Sequence, residues 1–248
     1  MNREVSMRRY LKALPLLCAL FAACSSPSPV DEIVTSNLAA RGGKERIQAL
    51  QSIRQTAAAT ASGGRVARLV REIKRPGLFR LEFSSQGTKS VFAHDGEGGW
   101  QVAPLQGQFE PQATTSENDA AAGVDQRDIE GPLVDWREKG HLVELVGREP
   151  LPGGEAFKLK VMLSDGSIRY DYVDVGSHQI VRSDVIRIME GRPVQLEVTF
   201  SDFREADGLV FPYVIETHVK DRPEVIRIAV EKIELDPDLD DARFRLPR

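Results

Sequence analysis

Side chains able to do covalent or metal chemistry are few in this sequence, and their spacing suits neither. There are two cysteines, Cys18 and Cys24, and four histidines, His94, His141, His178 and His218. A zinc site needs four soft or imidazole ligands brought together, usually at short regular spacing, and these six residues show no such spacing. No G-x-S-x-G elbow, Walker A loop or G-x-G-x-x-G turn occurs. His94 and Asp95 adjoin, but consecutive residues of a strand face opposite sides, so they make no catalytic dyad. Residues 236–241 (DPDLDD) offer hard oxygen ligands without EF-hand spacing, and they read as a turn opening a C-terminal cap. The sequence therefore argues against an enzyme, a metal centre or a cofactor.

Two positions remain. Cys24 ends an apolar run, and Arg75 ends an apolar stripe. In 71–100 (REIKRPGLFRLEFSSQGTKSVFAHDGEGGW) apolar residues alternate. Ala67, Leu69, Arg71, Ile73 and Arg75 share one side of a strand, and Phe79, Leu81 and Phe83 share one side of the next. Arg68, Glu72, Lys74, Arg80 and Glu82 fall on the other side, which predicts an antiparallel sheet with one wet face. Pro76-Gly77 fits the turn between the strands, and Asp95-Gly96 with Gly98-Gly99 fits another before Trp100.

The N-terminus carries Arg8, Arg9 and Lys12 ahead of an apolar stretch, 13–23 (ALPLLCALFAA). This is the pattern of a signal peptide and is too short for a mature membrane span. Phe21-Ala22-Ala23-Cys24 resembles a bacterial lipobox, with Phe21 where leucine is usual. That resemblance implies signal peptide 1–23, lipidation of Cys24 as the first mature residue, and a polar tether over 24–29. It also implies outer-membrane delivery, from Ser25. With Cys18 inside the apolar stretch, Cys24 has no disulfide partner, and lipidation gives it a use. Removing residues 1–23 takes away four basic residues (Arg3, Arg8, Arg9, Lys12) and one acid (Glu4), moving the formal net charge from −4 to −7. A mildly acidic body without a basic stripe argues against nucleic acid as a partner.

The spacing predicts two short helices over 30–50, broken at Gly42-Gly43, and a first strand over 51–64. Residues 101–111 read as strand and loop. Residues 112–128 are polar, and 129–139 read as a short helix holding Leu133, Val134 and Trp136. This middle region is the natural place for a lid. From His141 onward alternation is strong. Phe157, Leu159, Val161 and Leu163 oppose Lys158 and Lys160, and Val194, Leu196, Val198 and Phe200 oppose Gln195, Glu197 and Thr199. Asp165-Gly166 and Asp207-Gly208 mark turns, the second leading into Leu209, Phe211, Tyr213 and Ile215. The fold class is mainly β (α+β): one antiparallel meander of about ten strands, curled, apolar throughout on its inner face, and needing a cover. Residues 30–248 form a single domain in this reading. With 28% charged and 41% hydrophobic residues, the composition is that of an ordinary globular protein.

These residues resemble the LolA/LolB family of lipoprotein carriers and receptors, and more closely the outer-membrane lipoprotein-sorting proteins. The resemblance rests on Lys74-Arg75-Pro76 with Leu78-Phe79, and on Asp95-Gly96 leading to Trp100. It extends to Ala40-Arg41-Gly42-Gly43, Ser201-Asp202-Phe203 through Asp207-Gly208-Leu209 and Pro212, and Leu239-Asp240-Asp241 with Phe244 and Pro247. It spans Val30 to Pro247. It implies an incomplete barrel whose concave face is plugged by helices and holds lipid acyl chains. It also implies that Arg75 lies in the cavity and hydrogen-bonds the helical cover. The expected ligand is the acyl chain of a lipoprotein or another lipid, lined by Leu69, Ile73, Phe79, Leu81, Phe83, Val198, Phe200 and Phe211, and the membrane is reached through the anchor. For the receptor's protruding apolar tip, the candidates are Leu105 and Phe109. Two other readings stay open: an envelope sensor with a periplasmic protein partner, and an enzyme acting on lipid or glycan, which would need clustered polar residues in the cavity.

Overall fold

The computed structural model describes residues 27–61, 64, 66–104, 107–114, 127–189 and 192–247. Helix α1 (Pro29–Ala40) starts where Ser28 makes a capping box: its hydroxyl accepts from the Asp31 N–H, and the Asp31 carboxylate accepts from the Ser28 N–H. Pro29 costs nothing at the first helical position, where no N–H is needed. Gly42 and Gly43, at φ +110° and +98°, turn the chain into α2 (Lys44–Ala49). A Cβ on Gly42 would lie 2.3 Å from the Gly208 carbonyl, so the turn between the helices sits directly on a strand hairpin.

The strands are β1 (Ser52–Ala61), β2 (Val66–Lys74), β3 (Leu78–Ser85), β4 (Thr88–Asp95), β5 (Gly99–Ala103), β6 (Gln108–Ala113) and β7 (Leu142–Leu151). They continue as β8 (Gly154–Met162), β9 (Ile168–Asp174), β10 (Ile180–Met189), β11 (Arg192–Ala206), β12 (Leu209–Val219) and β13 (Val225–Leu235). All thirteen form one sheet in the order β6-β5-β4-β3-β2-β1-β13-β12-β11-β10-β9-β8-β7. The count exceeds the ten or so expected, and one of the extra strands arises because β5 and β6 both come from the segment read as one strand and a loop. Each arm is a meander of antiparallel hairpins, and the first and last strands form the seam between the arms. The two edges, β6 and β7, do not pair, so the sheet curls without closing into a barrel.

Residues 127–141 belong to the link between those two edges. They were expected to form a helix over 129–139, but they run as successive turns. Gly131 at φ +83° and Asp135 at φ +47° leave the right-handed helical region. This strap, α1 and α2 pack on one face of the sheet. Their common core joins Ile33, Val34, Leu38 and Ile47 from the helices, Leu133 and Val134 from the strap, and Leu159, Val161 and Val173 from the sheet.

The opposite face is not uniformly wet, contrary to expectation. The C-terminal segment after β13 folds back across it. Leu78, Leu239 and Phe244 form a small core there, Trp100 donates its indole N–H to the Phe244 carbonyl at 2.7 Å, and Val91, Ala93 and Trp100 cluster nearby. Glu72, expected in solvent, is 0% exposed and is held by Arg54 at 2.8 Å and Arg243 at 3.0 and 3.1 Å. In the acidic tail, Asp236 accepts from the Gln51 and Ser52 N–H groups, Asp240 caps a 3-10 turn at Ala242, and Asp241 meets Lys74 at 2.6 Å. Among the described residues no group of three or more His, Cys, Asp or Glu could hold a metal ion, and no helix is long and apolar enough to cross a membrane.

Candidate functional site

The register fixes which side chains share the helix-covered face. Leu69 pairs with Phe83, Arg71 with Leu81, and Ile73 with Phe79. Ile73 and Phe79 are buried with Ile53, and Ile129 of the strap and Phe211 lie against them. Leu69 is buried with Ala57, Ala59 and Val230, beside Leu81, Phe83, Tyr213, Ile228 and Ile233. Among the described residues this second cluster is made of strand residues alone, so the helices cover only part of the face. On β11, Val198 and Phe200 are half-buried and pair with Thr217 and Ile215 of β12. Of the eight apolar candidates, Leu69, Ile73 and Phe79 are thus buried, while Leu81, Phe83, Val198, Phe200 and Phe211 keep partial access. Phe109 is 72% exposed on β6. Cys24, the signal segment and Leu105 lie outside the described residues, as does most of 112–128.

Arg75 follows β2 at the helix-covered end. Its Nε donates to the Leu50 carbonyl at 2.6 Å and one Nη to the Gln48 carbonyl at 3.3 Å, both at the C-terminal end of α2. Those carbonyls carry the negative end of the helix and welcome a cation. The same Nη donates to Glu130 of the strap. Glu130 also meets Lys139 at 3.0 Å, and Lys139 reaches Asp128 at 2.6 Å. Burial raises the Glu130 pKa, but the hydrogen bonds from Arg75 and Lys139 outweigh it and leave the carboxyl below its usual value.

Sequence reasoning singled out Arg75 and missed the rest of this network. Arg41, at the end of α1, donates to the Glu130 carbonyl at 2.8 Å. Its burial lowers the guanidinium pKa, against the pull of Asp128 and Glu130. The A-R-G-G stretch was the available signal, since an arginine next to two turn glycines is placed by backbone geometry. A cavity of about 420 Å³ opens beside this network, lined by Ile73, Arg75, Pro76, His94, Arg127 and Ile129 among others.

The strap has two further ties. Arg137 makes two hydrogen bonds to Asp31 of α1, at 2.7 and 3.1 Å, and with Ser28 this takes the Asp31 pKa down to about 2. Asp135 pairs with Lys44 and accepts from Gln48 on α2, which lowers its pKa against a smaller opposing effect of burial.

The covered face is not apolar throughout, which corrects the sequence expectation. Arg71 donates to Gln55 at 3.1 Å. Farther along, Asp171 of β9 lies directly between Leu159 of β8 and Ser183 of β10 and faces the same way. Asp171 is 0% exposed and Ser183 1%. Arg169, Asp171 and Ser183 contact one another within 3 Å. A β-bulge between Ile180 and Arg182 shifts the alternation there, so parity counted along the sequence does not bring Ser183 to this face beside Asp171.

An unclosed antiparallel sheet, curled under two N-terminal helices and a strap, defines a LolA/LolB-like fold. Three solved structures share it. A LolA superfamily protein from Nitrosomonas europaea superposes with a TM-score of 0.61 at 14% identity, covering 86% of this chain and 97% of its own. A DUF1329 family protein from Desulfovibrio piger gives 0.60 at 18%, covering 88% and 97%. An outer membrane lipoprotein-sorting protein domain from Vibrio parahaemolyticus gives 0.57 at 13%, covering 86% and 94%. At these identities the likeness is one of fold. No protein-family model matches the chain, and no curated protein matches it.

Proposed function

We propose that this chain is a lipid-anchored protein of the bacterial envelope that binds acyl chains against the covered face of its sheet and does no covalent chemistry. The observation that carries this reading is the strand-only cluster around Leu69, where large apolar side chains from β3, β12 and β13 stay half-buried beyond the reach of the helices. Moving acyl methylenes out of water onto such a surface is worth about 0.8 kcal/mol each, so a long chain needs a trough more than specific hydrogen bonds. In this reading residues 1–23 are the export signal, lipidated Cys24 is the anchor, and the expected tether 24–29 is shortened, since Pro29 already opens α1. Leu81, Phe83, Val198, Phe200 and Phe211 touch the ligand, with Leu69, Ile73 and Phe79 beneath them. Arg75 sets how readily the cover lifts. The Vibrio structure's description as a lipoprotein-sorting domain supports this choice of cargo.

The test uses the full chain purified from cells. Solvent extraction and mass spectrometry should find acyl lipid in near-equal molar amount, and a dansyl-labelled fatty acid should bind at micromolar concentration and be displaced by the extract. Absence of both would reject the carrier reading.

A further inference from the structure

The cluster of Arg169, Asp171 and Ser183 has no evident use in the proposed hydrophobic trough, and its hydrogen bonds are lopsided. Arg169 donates to Asp171 Oδ1 through Nε at 2.9 Å, and its Nη2 lies 2.7 Å from the same oxygen. Ser183 Oγ donates to Oδ1 at 2.6 Å while accepting from Arg169 Nη2 at 2.8 Å. Three donors thus converge on Oδ1. Oδ2 is buried and accepts no hydrogen bond among the described residues. An acceptor left dry in this way costs about 1–3 kcal/mol. A structural ion pair could share its donors between both oxygens, whereas this one keeps one oxygen bare. The cluster lies on the covered face between Leu159 of β8 and Val198 of β11, so it interrupts the apolar surface. It holds no histidine or cysteine.

The geometry points to Asp171 Oδ2 as the polar anchor of the trough: it accepts the O–H or N–H at the head of an uncharged acyl ligand, while Arg169 and Ser183 hold the carboxylate in place. This rests on the acyl-binding reading and deepens it by naming the head group. A fatty-acid anion brings only acceptors to Oδ2 and is disfavoured. A glyceride hydroxyl or an N-acyl amide supplies the missing donor.

The full chain, stripped of lipid, is titrated with monopalmitoylglycerol, palmitamide, palmitate and methyl palmitate, each displacing the dansyl probe. The first two should bind about ten-fold tighter than the last two, the amount expected for one hydrogen bond to a charged group. Monopalmitoylglycerol against palmitamide then tells a hydroxyl source from an amide source. In Asp171→Asn the Arg169 and Ser183 donors hold the amide oxygen at the Oδ1 place, so the bare position carries N–H instead. The preference should invert toward methyl palmitate. Equal affinities in the native chain, or an unchanged preference in Asp171→Asn, would overturn the anchor while leaving acyl binding intact. Failure of all four ligands would remove the acyl reading itself, and the anchor with it. If Asp171→Asn does not fold, the native comparison alone decides.

Discussion

At the scale of single residues, Arg75 makes more kinds of contact than any apolar candidate. It joins the end of β2 to two carbonyls of α2 and to the strap carboxylate Glu130. Arg75→Leu would leave those acceptors bare and Glu130 with Lys139 as its ion-pair partner. Because Arg75 is partly exposed, the expected loss is about 1–3 kcal/mol rather than the larger cost of a fully buried broken pair. Urea unfolding reads that loss, and stopped-flow release of the dansyl probe should change with it. Unchanged stability and unchanged release would take Arg75 out of the mechanism. This residue could be reached from sequence because parity and the K-R-P stretch agreed on it. Asp171 could not, since its meaning depends on a bulge and on a serine from the next strand. Glu72 misled for a related reason: alternation says which side a residue faces, not whether a later segment covers that side.

At the scale of elements, the strap is fastened by carboxylates. Asp31, Glu130 and Asp135 each have a pKa below the usual value in the fold. A depressed carboxylate pKa stabilises the folded form fully above the unfolded value, near 4, and that contribution is lost as pH falls through the folded values. His141, at the end of the strap, is lowered from 6.5 by burial and by Lys139. The unfolded chain therefore binds its proton first, and a smaller loss begins below about pH 6.5. The opening equilibrium from hydrogen exchange across 127–141, after correction for the intrinsic pH dependence of amide exchange, should be flat above pH 7, rise slightly below it, and rise steeply only below about pH 4. A steep rise between pH 7 and 6, or none by pH 3, would show that these ties do not hold the strap. The helices were legible from their apolar spacing and from the Gly42-Gly43 break. The strap was not, because Leu133, Val134 and Trp136 have helical spacing but sit in backbone that Gly131 and Asp135 turn aside.

At the scale of the whole molecule, two meanders meet at one ladder. β1 and β13 pair over most of their length, with one irregularity at Thr56 and Ala57. If that seam makes one cooperative unit, each arm should unfold at the same denaturant concentration. Trp100 sits in the first arm, while Trp136 packs with the helices and the second arm. Fluorescence of Trp136→Phe and Trp100→Phe, which report each arm separately, should give coincident midpoints once the mutations' own stability changes are removed. Two midpoints would mean that the seam does not couple the arms. The hairpins were legible because D-G and P-G turns punctuate them. The order of the strands was not, since pairing of the first with the last leaves no local mark.

If the covered face takes acyl chains as proposed, that order has a consequence for breadth of cargo. Because β6 and β7 are opposite margins, the stretch between them is the one connection that must reach from margin to margin. None of its residues between 127 and 141 belongs to a strand. Residues can be added or lost there without shifting a single pairing partner. One scaffold could thus be refitted for thin or bulky passengers by altering the girth of a belt, while the ribs stay where they are.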